Sequence, residues 1–153
     1  MIGKVVNDIE ARSASGYPAE YHARVLPREA RRLGDAFGLT SIGVNHVTIF
    51  PGKESSLRHD HSHEDELVYV LEGELVLHTN HGEETLTAGM VAGFRAGDGN
   101  PHRLVNRSRA NAVFLVMSNR HPDDRCSYAD EDLTVKKVDG KYVYARKDGA
   151  PIP

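Results

Sequence analysis

Apolar and polar residues alternate in short segments from Ser41 onward, and glycine, asparagine or proline stands between most of these segments. Alternation with a period of two is typical of strands with one buried face, and regularly spaced turn residues indicate an all-β barrel or sandwich. The predicted strands cover residues 42–50, 66–71, 74–79, 83–86, 91–94, 102–106 and 112–118. We therefore expect a barrel core over residues 42–118.

The segments on either side of this core differ from it. In the N-terminal extension, residues 1–41, Pro27 precedes Glu, Ala, Arg and Leu, which predicts a short helix near residues 28–33. In the C-terminal extension, residues 119–153, a polar stretch precedes a predicted β-hairpin that turns at Asp139 and Gly140. This extension is too small to bury a core alone. We expect it to pack on the barrel or on a second subunit, as part of a single domain.

The charge and composition of the chain exclude several classes of protein. With 19 Lys and Arg residues against 22 Asp and Glu residues, the net charge is -3, which gives no electrostatic basis for a nucleic-acid partner. Every apolar stretch is shorter than the roughly 20 residues of a membrane-spanning helix. The N-terminus lacks the apolar core of a signal peptide, so we expect a cytoplasmic protein with no membrane partner. The one cysteine, Cys126, fits a reducing compartment and is expected to be a surface thiol.

Three histidines crowd the segment RHDHSHEDELVYVLEG, which begins at position 58. On one continuous strand, His59 and His61 would share a face, whereas Glu66 would point the other way. The polar sequence SHED, residues 62–65, can form a turn that brings Glu66 to the face of the two histidines at the start of the next strand. We expect this turn, including His63, to be solvated.

Two imidazoles and a carboxylate that meet inside a barrel form half of an octahedral metal site, which suits iron, manganese, nickel or zinc. A further ligand should come from another strand. His102 is the best candidate, because it begins a predicted strand after the glycine-rich loop RAGDGNP. His78 and His81 compete for this role, but both are more easily interpreted as solvated. The predicted ligands of one divalent transition metal ion are His59, His61, Glu66 and His102.

Two segments resemble the signature motifs of the cupin superfamily. The residues of PGKESSLRHDHSHEDELVYVLEG that match the first motif are His59, His61, Glu66 and Gly73. The residues of GMVAGFRAGDGNPHRLVN that match the second are Gly89, Gly97, His102 and Asn106. Longer spacers before His59 and His102, and an arginine at position 95 where proline is usual, depart from the pattern without removing a ligand. The resemblance covers residues 52–106 and implies a double-stranded β-helix, the cupin jelly-roll barrel.

The flanking segments are similar to those of small single-domain bacterial cupins described as sugar-phosphate isomerases, after their likeness to the cupin phosphomannose isomerases. This likeness implies a metal-dependent enzyme that acts on a small carbohydrate or an organic acid. In an isomerase the metal ion would hold a carbonyl and the adjacent hydroxyl while a base moves a proton between carbons. No residue of this chain can be named as that base. An iron-dependent dioxygenase, which consumes oxygen, and a non-catalytic barrel that binds a small molecule are the alternatives.

Two arginines are candidates for substrate binding. Arg95 lies in the loop before His102 and Arg103 follows that histidine, so either could bind a carboxylate or phosphate at the barrel mouth. The ordinary role of both would be surface charge. Small cupins commonly form homodimers, and the edge strands of a barrel of this size need cover, so we expect a homodimer.

Overall fold

The computed structural model describes residues 3–152, which form mainly antiparallel β-strands. The strands of this part of the chain are β1 (Ala11–Arg12), β2 (Arg28–Arg32), β3 (Ile42–Ile49), β4 (His59–His61), β5 (Glu66–Glu72), β6 (Glu74–Thr79), β7 (Gly82–Thr87), β8 (Val91–Phe94), β9 (Arg103–Val105), β10 (Ala112–Asn119), β11 (Arg125–Tyr128), β12 (Thr134–Val138) and β13 (Lys141–Ala145). Short helices are α1 (His22–Val25) and α2 (Leu33–Ala36), with 3-10 turns at Val6–Asp8 and Ala19–Tyr21. Among the described residues, no helix is long and apolar enough to cross a membrane.

The strands form antiparallel sheets that face each other across a barrel. The largest sheet has the strand order β1-β2-β3-β10-β5-β8. Opposite it lie a sheet of order β13-β12-β11-β4 and a sheet of order β7-β6-β9. The all-β barrel expected from the alternation of apolar residues is thus confirmed, and the hairpin of β12 and β13 turns at Asp139 and Gly140 as predicted.

The main core of the barrel lies between the largest sheet and the sheet of β6, β7 and β9. Strands β3, β5 and β10 contribute alternate apolar residues, such as Val47, Val68 and Phe114, and the opposite sheet contributes leucines. The buried residues of this cluster are Val47, Ile49, Val68, Val70, Leu75, Leu77, Leu86, Leu104, Ala112 and Phe114. Several residues of this core, including Val68 and Phe114, also line a cavity of the barrel.

The C-terminal extension is part of the barrel wall on this same chain. Strand β11 pairs with β4, so that Cys126 lies opposite His61 and Tyr128 opposite His59. A second buried cluster, centred on Leu57 and Leu133, joins this sheet to the N-terminal segment around Tyr17. The two histidines of β4 are therefore held by a strand that lies more than sixty residues further along the chain.

The predicted helix at residues 28–33 is wrong. Residues Arg28–Arg32 form β2, which pairs with β3 in antiparallel register, with Ala30 opposite Val47. A weak local preference for helix is overridden here by the backbone hydrogen bonds that β3 offers and by the burial of Ala30 against the core. Helix begins only after this strand, at Leu33.

Candidate metal centre

The strand-turn-strand arrangement predicted for residues 59–66 is confirmed. His59 and His61 belong to β4, residues 62–65 form the connection, and Glu66 is the first residue of β5. Along β5, Glu66 shares the inward face with the buried Val68, whereas Leu67 is 43% exposed on the outward face. The connection therefore brings the carboxylate of Glu66 to the cavity that the two imidazoles line.

Four side chains converge in this cavity. The Nε2 atoms of His59 and His61 are 3.2 Å apart, and Nε2 of His61 is 3.6 Å from Oε2 of Glu66. The other carboxylate oxygen of Glu66 is 3.1 Å from Nε2 of His102. Reciprocal backbone hydrogen bonds of 3.0 and 2.8 Å between His59 and His102 hold the segment before β9 beside β4. The structure thus brings together all four residues that the sequence predicted as ligands.

Hydrogen bonds at the opposite side of each ring determine which nitrogen carries the proton. Nδ1 of His59 lies 2.8 Å from the carbonyl oxygen of Leu57, which can only accept, so this nitrogen donates. Nδ1 of His61 lies 2.7 Å from Oδ2 of Asp124 and donates to that carboxylate in the same way. In the neutral rings, both Nε2 atoms therefore present lone pairs to one point in the cavity.

Burial and close neighbours shift the pKa values of His59, His61 and Glu66. Burial lowers the pKa of His59 to about 4, and the neighbouring His102 lowers it further, so His59 is neutral at pH 7. Burial also lowers the pKa of His61, but its hydrogen bonds to Asp124, Cys126 and Glu66 outweigh burial and raise it overall. Burial raises the pKa of Glu66, whereas hydrogen bonds from His102 and His61 outweigh burial and lower it overall. Without a metal ion, these shifts favour an ionised Glu66 beside a protonated His61, and a bound metal ion would take the place of that proton.

The donor set fits a divalent transition metal ion. Three imidazole nitrogens and one carboxylate oxygen suit zinc, iron, manganese or nickel. The hydrogen bonds of His59 and His61 to Leu57 and Asp124 are of the kind that orient metal-binding histidines. His102 is fixed differently, since its ring stacks on Phe94 with centroids 3.5 Å apart and its buried Nδ1 has no partner.

Asp124 is the residue of this site that the sequence did not reveal. It is 3% exposed, and its carboxylate accepts hydrogen bonds from the His61 ring and from the backbone N–H groups of His63 and Glu64, at 2.9 and 3.1 Å. It therefore orients His61 and shapes the turn at the same time. Its segment, NRHPDDR, was expected to be a polar connector, and only the pairing of β11 with β4 brings it to the site.

The turn is only partly solvated, which corrects the expectation. His63 is exposed and stacks on His121, with ring centroids 4.5 Å apart. Glu64 is 6% exposed, because it pairs with Lys137 and accepts a 2.9 Å hydrogen bond from the backbone N–H of His121. Glu64 is therefore buried in an ion pair with Lys137 of the C-terminal extension and is not solvated.

Two other histidines lie away from the four converging side chains, and the cysteine is not where it was expected. His78, on β6, lies opposite Glu83 of β7 and Arg103 of β9, and it is half-buried where a solvated side chain was expected. His81 is exposed in the turn between β6 and β7, as expected. Cys126 was expected at the surface, but it is 7% exposed and its Sγ lies 3.3 Å from Nδ1 of His61. Its strand pairs with β4, which places alternate residues of β11 inside the barrel.

The arginines predicted to bind substrate lie outside this cavity. Arg95 is exposed and lines a second, more open pocket with Leu67 and Met117, and Glu66 contributes to the lining of both pockets. Nη1 of Arg103 lies 3.3 Å from Oε2 of Glu54. The arginine that lines the cavity is Arg28, the first residue of β2.

The cavity itself has a volume of about 250 Å³ and combines an apolar wall with a few polar groups. Its apolar residues are Ala30, Val47, Val68, Leu104, Phe114, Val116 and Val135. Its polar residues away from the convergent group include Arg28, Asn45 and the tyrosines Tyr17, Tyr128, Tyr142 and Tyr144. This volume lies just below the usual ligand-pocket range of roughly 300–1,000 Å³, so the cavity has room for a small molecule only.

Known proteins resemble this chain in sequence and fold. A family model described as the cupin domain matches residues 45–118. A sugar phosphate isomerase from a cupin superfamily, from Silicibacter pomeroyi, is 44% identical over 97% of this chain and 95% of that chain, with a TM-score of 0.93. A candidate sugar phosphate isomerase from Acidithiobacillus ferrooxidans is 26% identical over 90% of this chain and 95% of that chain, with a TM-score of 0.74. No curated protein compared with the chain matches it.

A more distant similarity concerns the fold alone. A polyketide cyclase from Streptomyces resistomycificus is 23% identical over 86% of this chain and 89% of that chain, with a TM-score of 0.68. Related barrels therefore support different chemistry, so the residues that line the cavity must decide the function.

Replacing Asp124 with alanine should destabilise the protein, because it leaves two backbone N–H groups and the His61 ring without their buried acceptor. We expect the free energy of unfolding to fall by about 3 kcal/mol, measured by urea denaturation. The neighbouring Asp123 is exposed, so Asp123→Ala should change stability by less than about 0.5 kcal/mol. Equal effects of the two substitutions would contradict the role given to Asp124.

Proposed function

The chain belongs to the cupin superfamily, and we propose that it is a metal-dependent enzyme acting on a small carbohydrate or organic acid, with a sugar-phosphate isomerase as the first candidate. In this proposal His59, His61, Glu66 and His102 bind one divalent transition metal ion, which is zinc, manganese, iron or nickel. Membership of the family accounts for the barrel. The isomerase activity is suggested by the name of the Silicibacter pomeroyi relative.

The observation that supports a metal ion most strongly is the approach of two imidazole nitrogens. Nε2 of His59 and Nε2 of His61 are 3.2 Å apart, and both Nδ1 atoms already donate to oxygen atoms. Two facing lone pairs repel each other unless a cation stands between them. A proton on His61 could fill this role in a barrel without metal, so metal content distinguishes the two cases.

The tyrosine hydroxyls of the cavity would act as hydrogen-bond donors. Burial raises the pKa of Tyr144 to about 12 and also raises the pKa of Tyr17 and Tyr128, so these hydroxyls stay protonated at pH 7. When bound, a divalent ion polarises the carbonyl and hydroxyl oxygens of a substrate. The tyrosines would donate hydrogen bonds to other substrate oxygens. A base for isomerisation is still not identified among these residues.

Replacing His61 with alanine should empty the metal site, because it removes one of the facing nitrogens, whereas His63→Ala should leave the site filled. His63 is the matched control, since it lies two residues away but is exposed on the outside of the turn. The measurement is metal per chain by elemental analysis, on protein purified without a nickel column. Metal retained by His61→Ala, or lost from His63→Ala, would contradict the proposed ligands.

The isomerase can be tested with aldose and ketose phosphates. We expect the metal-loaded protein to interconvert at least one such pair, for example mannose 6-phosphate and fructose 6-phosphate, in the absence of oxygen. Proton NMR follows both sugars in one sample, and removal of the metal ion with a chelator should abolish the conversion. Oxygen consumption with an organic acid would favour the dioxygenase instead. Saturable binding without turnover of any pair would favour a non-catalytic binding protein.

We also propose that the chain forms a homodimer through the outward face of its largest sheet. Leu67, Tyr69 and Val91 are exposed by 43%, 36% and 57%, and they lie on the neighbouring strands β5 and β8. Ile42 on β3 and Met117 on β10 line the pocket beside them. An apolar patch that crosses several strands is typical of a protein interface, and a second copy of the same patch would cover it symmetrically.

Val91→Glu should convert the dimer to a monomer, because it places a charge on a highly exposed apolar residue of the proposed interface. Light scattering should give the wild-type protein twice the 16.9 kDa mass of the chain, and the variant a single chain mass. Val138→Glu is a suitable control, since Val138 is 42% exposed on the C-terminal hairpin, away from this sheet. A wild-type monomer at micromolar concentration would contradict the proposal.

A further inference from the structure

Arg28 is a half-buried cation that lines the cavity without forming a salt bridge to any described carboxylate. Its Nη1 donates a 2.9 Å hydrogen bond to the carbonyl oxygen of Ser55, while its Nε is buried and has no partner. Within residues 3–152, no carboxylate forms a salt bridge with this guanidinium. A charge held partly out of water without a counter-ion is costly, and a bound anion beside the guanidinium would lower that cost.

The surroundings of Arg28 would suit an anion. Tyr17, Tyr128 and Tyr144 line the same cavity, and their rings form a cluster with centroids 5.6 to 6.5 Å apart. Asn45 adds an amide to the lining. Hydroxyl and amide hydrogens beside a guanidinium are the donors that bind carboxylate and phosphate oxygens.

Two adjacent serines, Ser55 and Ser56, link Arg28 to the metal centre by hydrogen bonds. Ser55 accepts the hydrogen bond from Arg28, and the hydroxyl of Ser56 lies 3.3 Å from Nδ1 of His59. Both serines line the cavity together with the four convergent residues. A small molecule in this cavity could therefore contact both the guanidinium and the metal centre.

We propose that Arg28 binds the anionic group, a carboxylate or a phosphate, of a substrate whose carbonyl and hydroxyl oxygens face His59, His61, Glu66 and His102. This inference rests on the proposed metal-dependent function and specifies its substrate class. The substrate is a small hydroxycarbonyl compound with one acidic group. Arg28 thereby takes the role that the sequence suggested for Arg95 and Arg103.

A purely structural role for Arg28 makes a different prediction. The bond to Ser55 joins β2 to the segment before β4, and a brace of this kind would affect stability and not ligand choice. Ligand choice is therefore the property to measure, and stability is the property to control.

Three ligands of matched chemistry separate these roles in the Mn²⁺-loaded protein, by isothermal titration calorimetry. Dihydroxyacetone phosphate and hydroxypyruvate both contain a hydroxyketone, with a phosphate or a carboxylate, and dihydroxyacetone has the hydroxyketone alone. We expect one of the two anions to bind the wild-type protein about 10- to 100-fold more tightly than dihydroxyacetone. An anion that binds more tightly only while Arg28 is present identifies the acidic group that this arginine binds. Equal binding of all three ligands would overturn the proposal, whatever the variants do.

Substitutions then assign the preference to Arg28. Arg28→Gln should remove the advantage of the preferred anion and leave binding of dihydroxyacetone unchanged, while Arg28→Lys should retain part of it. Arg107→Gln is the matched control, because Arg107 is exposed and pairs with Glu83 on the outside of the barrel. Loss of the preference in Arg95→Gln instead of Arg28→Gln would overturn the proposal. It would favour the prediction made from the sequence.

Failure of the metal-dependent function can be recognised separately. Elemental analysis of each protein before titration shows whether Mn²⁺ is bound, and His61→Ala serves as the protein without a metal site. If the wild-type protein binds no metal ion, the proposed function fails. If Mn²⁺ is bound and Arg28→Gln keeps the full anion preference, only the role of Arg28 fails.

Discussion

Two imidazole nitrogens face each other at 3.2 Å inside a closed barrel, and much of the local structure serves to keep them there. The Leu57 carbonyl and the Asp124 carboxylate occupy the far side of each ring, so neither histidine can turn its lone pair away without leaving a buried acceptor unpaired. Glu66 contributes a negative charge next to them. A cation is the simplest way to satisfy all three groups at once, which is why the metal ion is central to this account.

The barrel builds this site from distant parts of the chain. The β4 histidines depend on β11, which lies opposite them and is preceded by Asp124. His102 reaches the site through backbone hydrogen bonds to His59, and Arg28 enters from β2 at the other side of the cavity. The N-terminal and C-terminal extensions therefore supply residues to the cavity, besides covering the edges of the barrel.

The sequence predicted those features that depend on local pattern. The period of two along β5 placed Glu66 on the inward face, and the SHED turn brought it beside His59 and His61. The helix predicted at residues 28–33 failed, because pairing with β3 outweighs a weak local preference.

Asp124 and Arg28 could not be found in this way. Asp124 contacts His61 although 63 residues separate them in the sequence. The contact depends on the pairing of β11 with β4, which no motif in the sequence predicts. Arg28 lies in a charged segment whose sequence predicts a helix. Its side chain lines the cavity because the segment forms strand β2 instead. The burial of Glu64 has the same origin, since its partner Lys137 belongs to the C-terminal hairpin strand β12.

Anomalous diffraction from crystals of the metal-loaded protein, collected at the absorption edge of the bound element, would locate the metal ion in the barrel. We predict one peak per chain, about 2.0–2.2 Å from Nε2 of His59, His61 and His102 and from a carboxylate oxygen of Glu66. A peak on the other side of the His61 ring, between Asp124 and the sulfur of Cys126, would contradict the account. The absence of any peak between the facing nitrogens would contradict it equally.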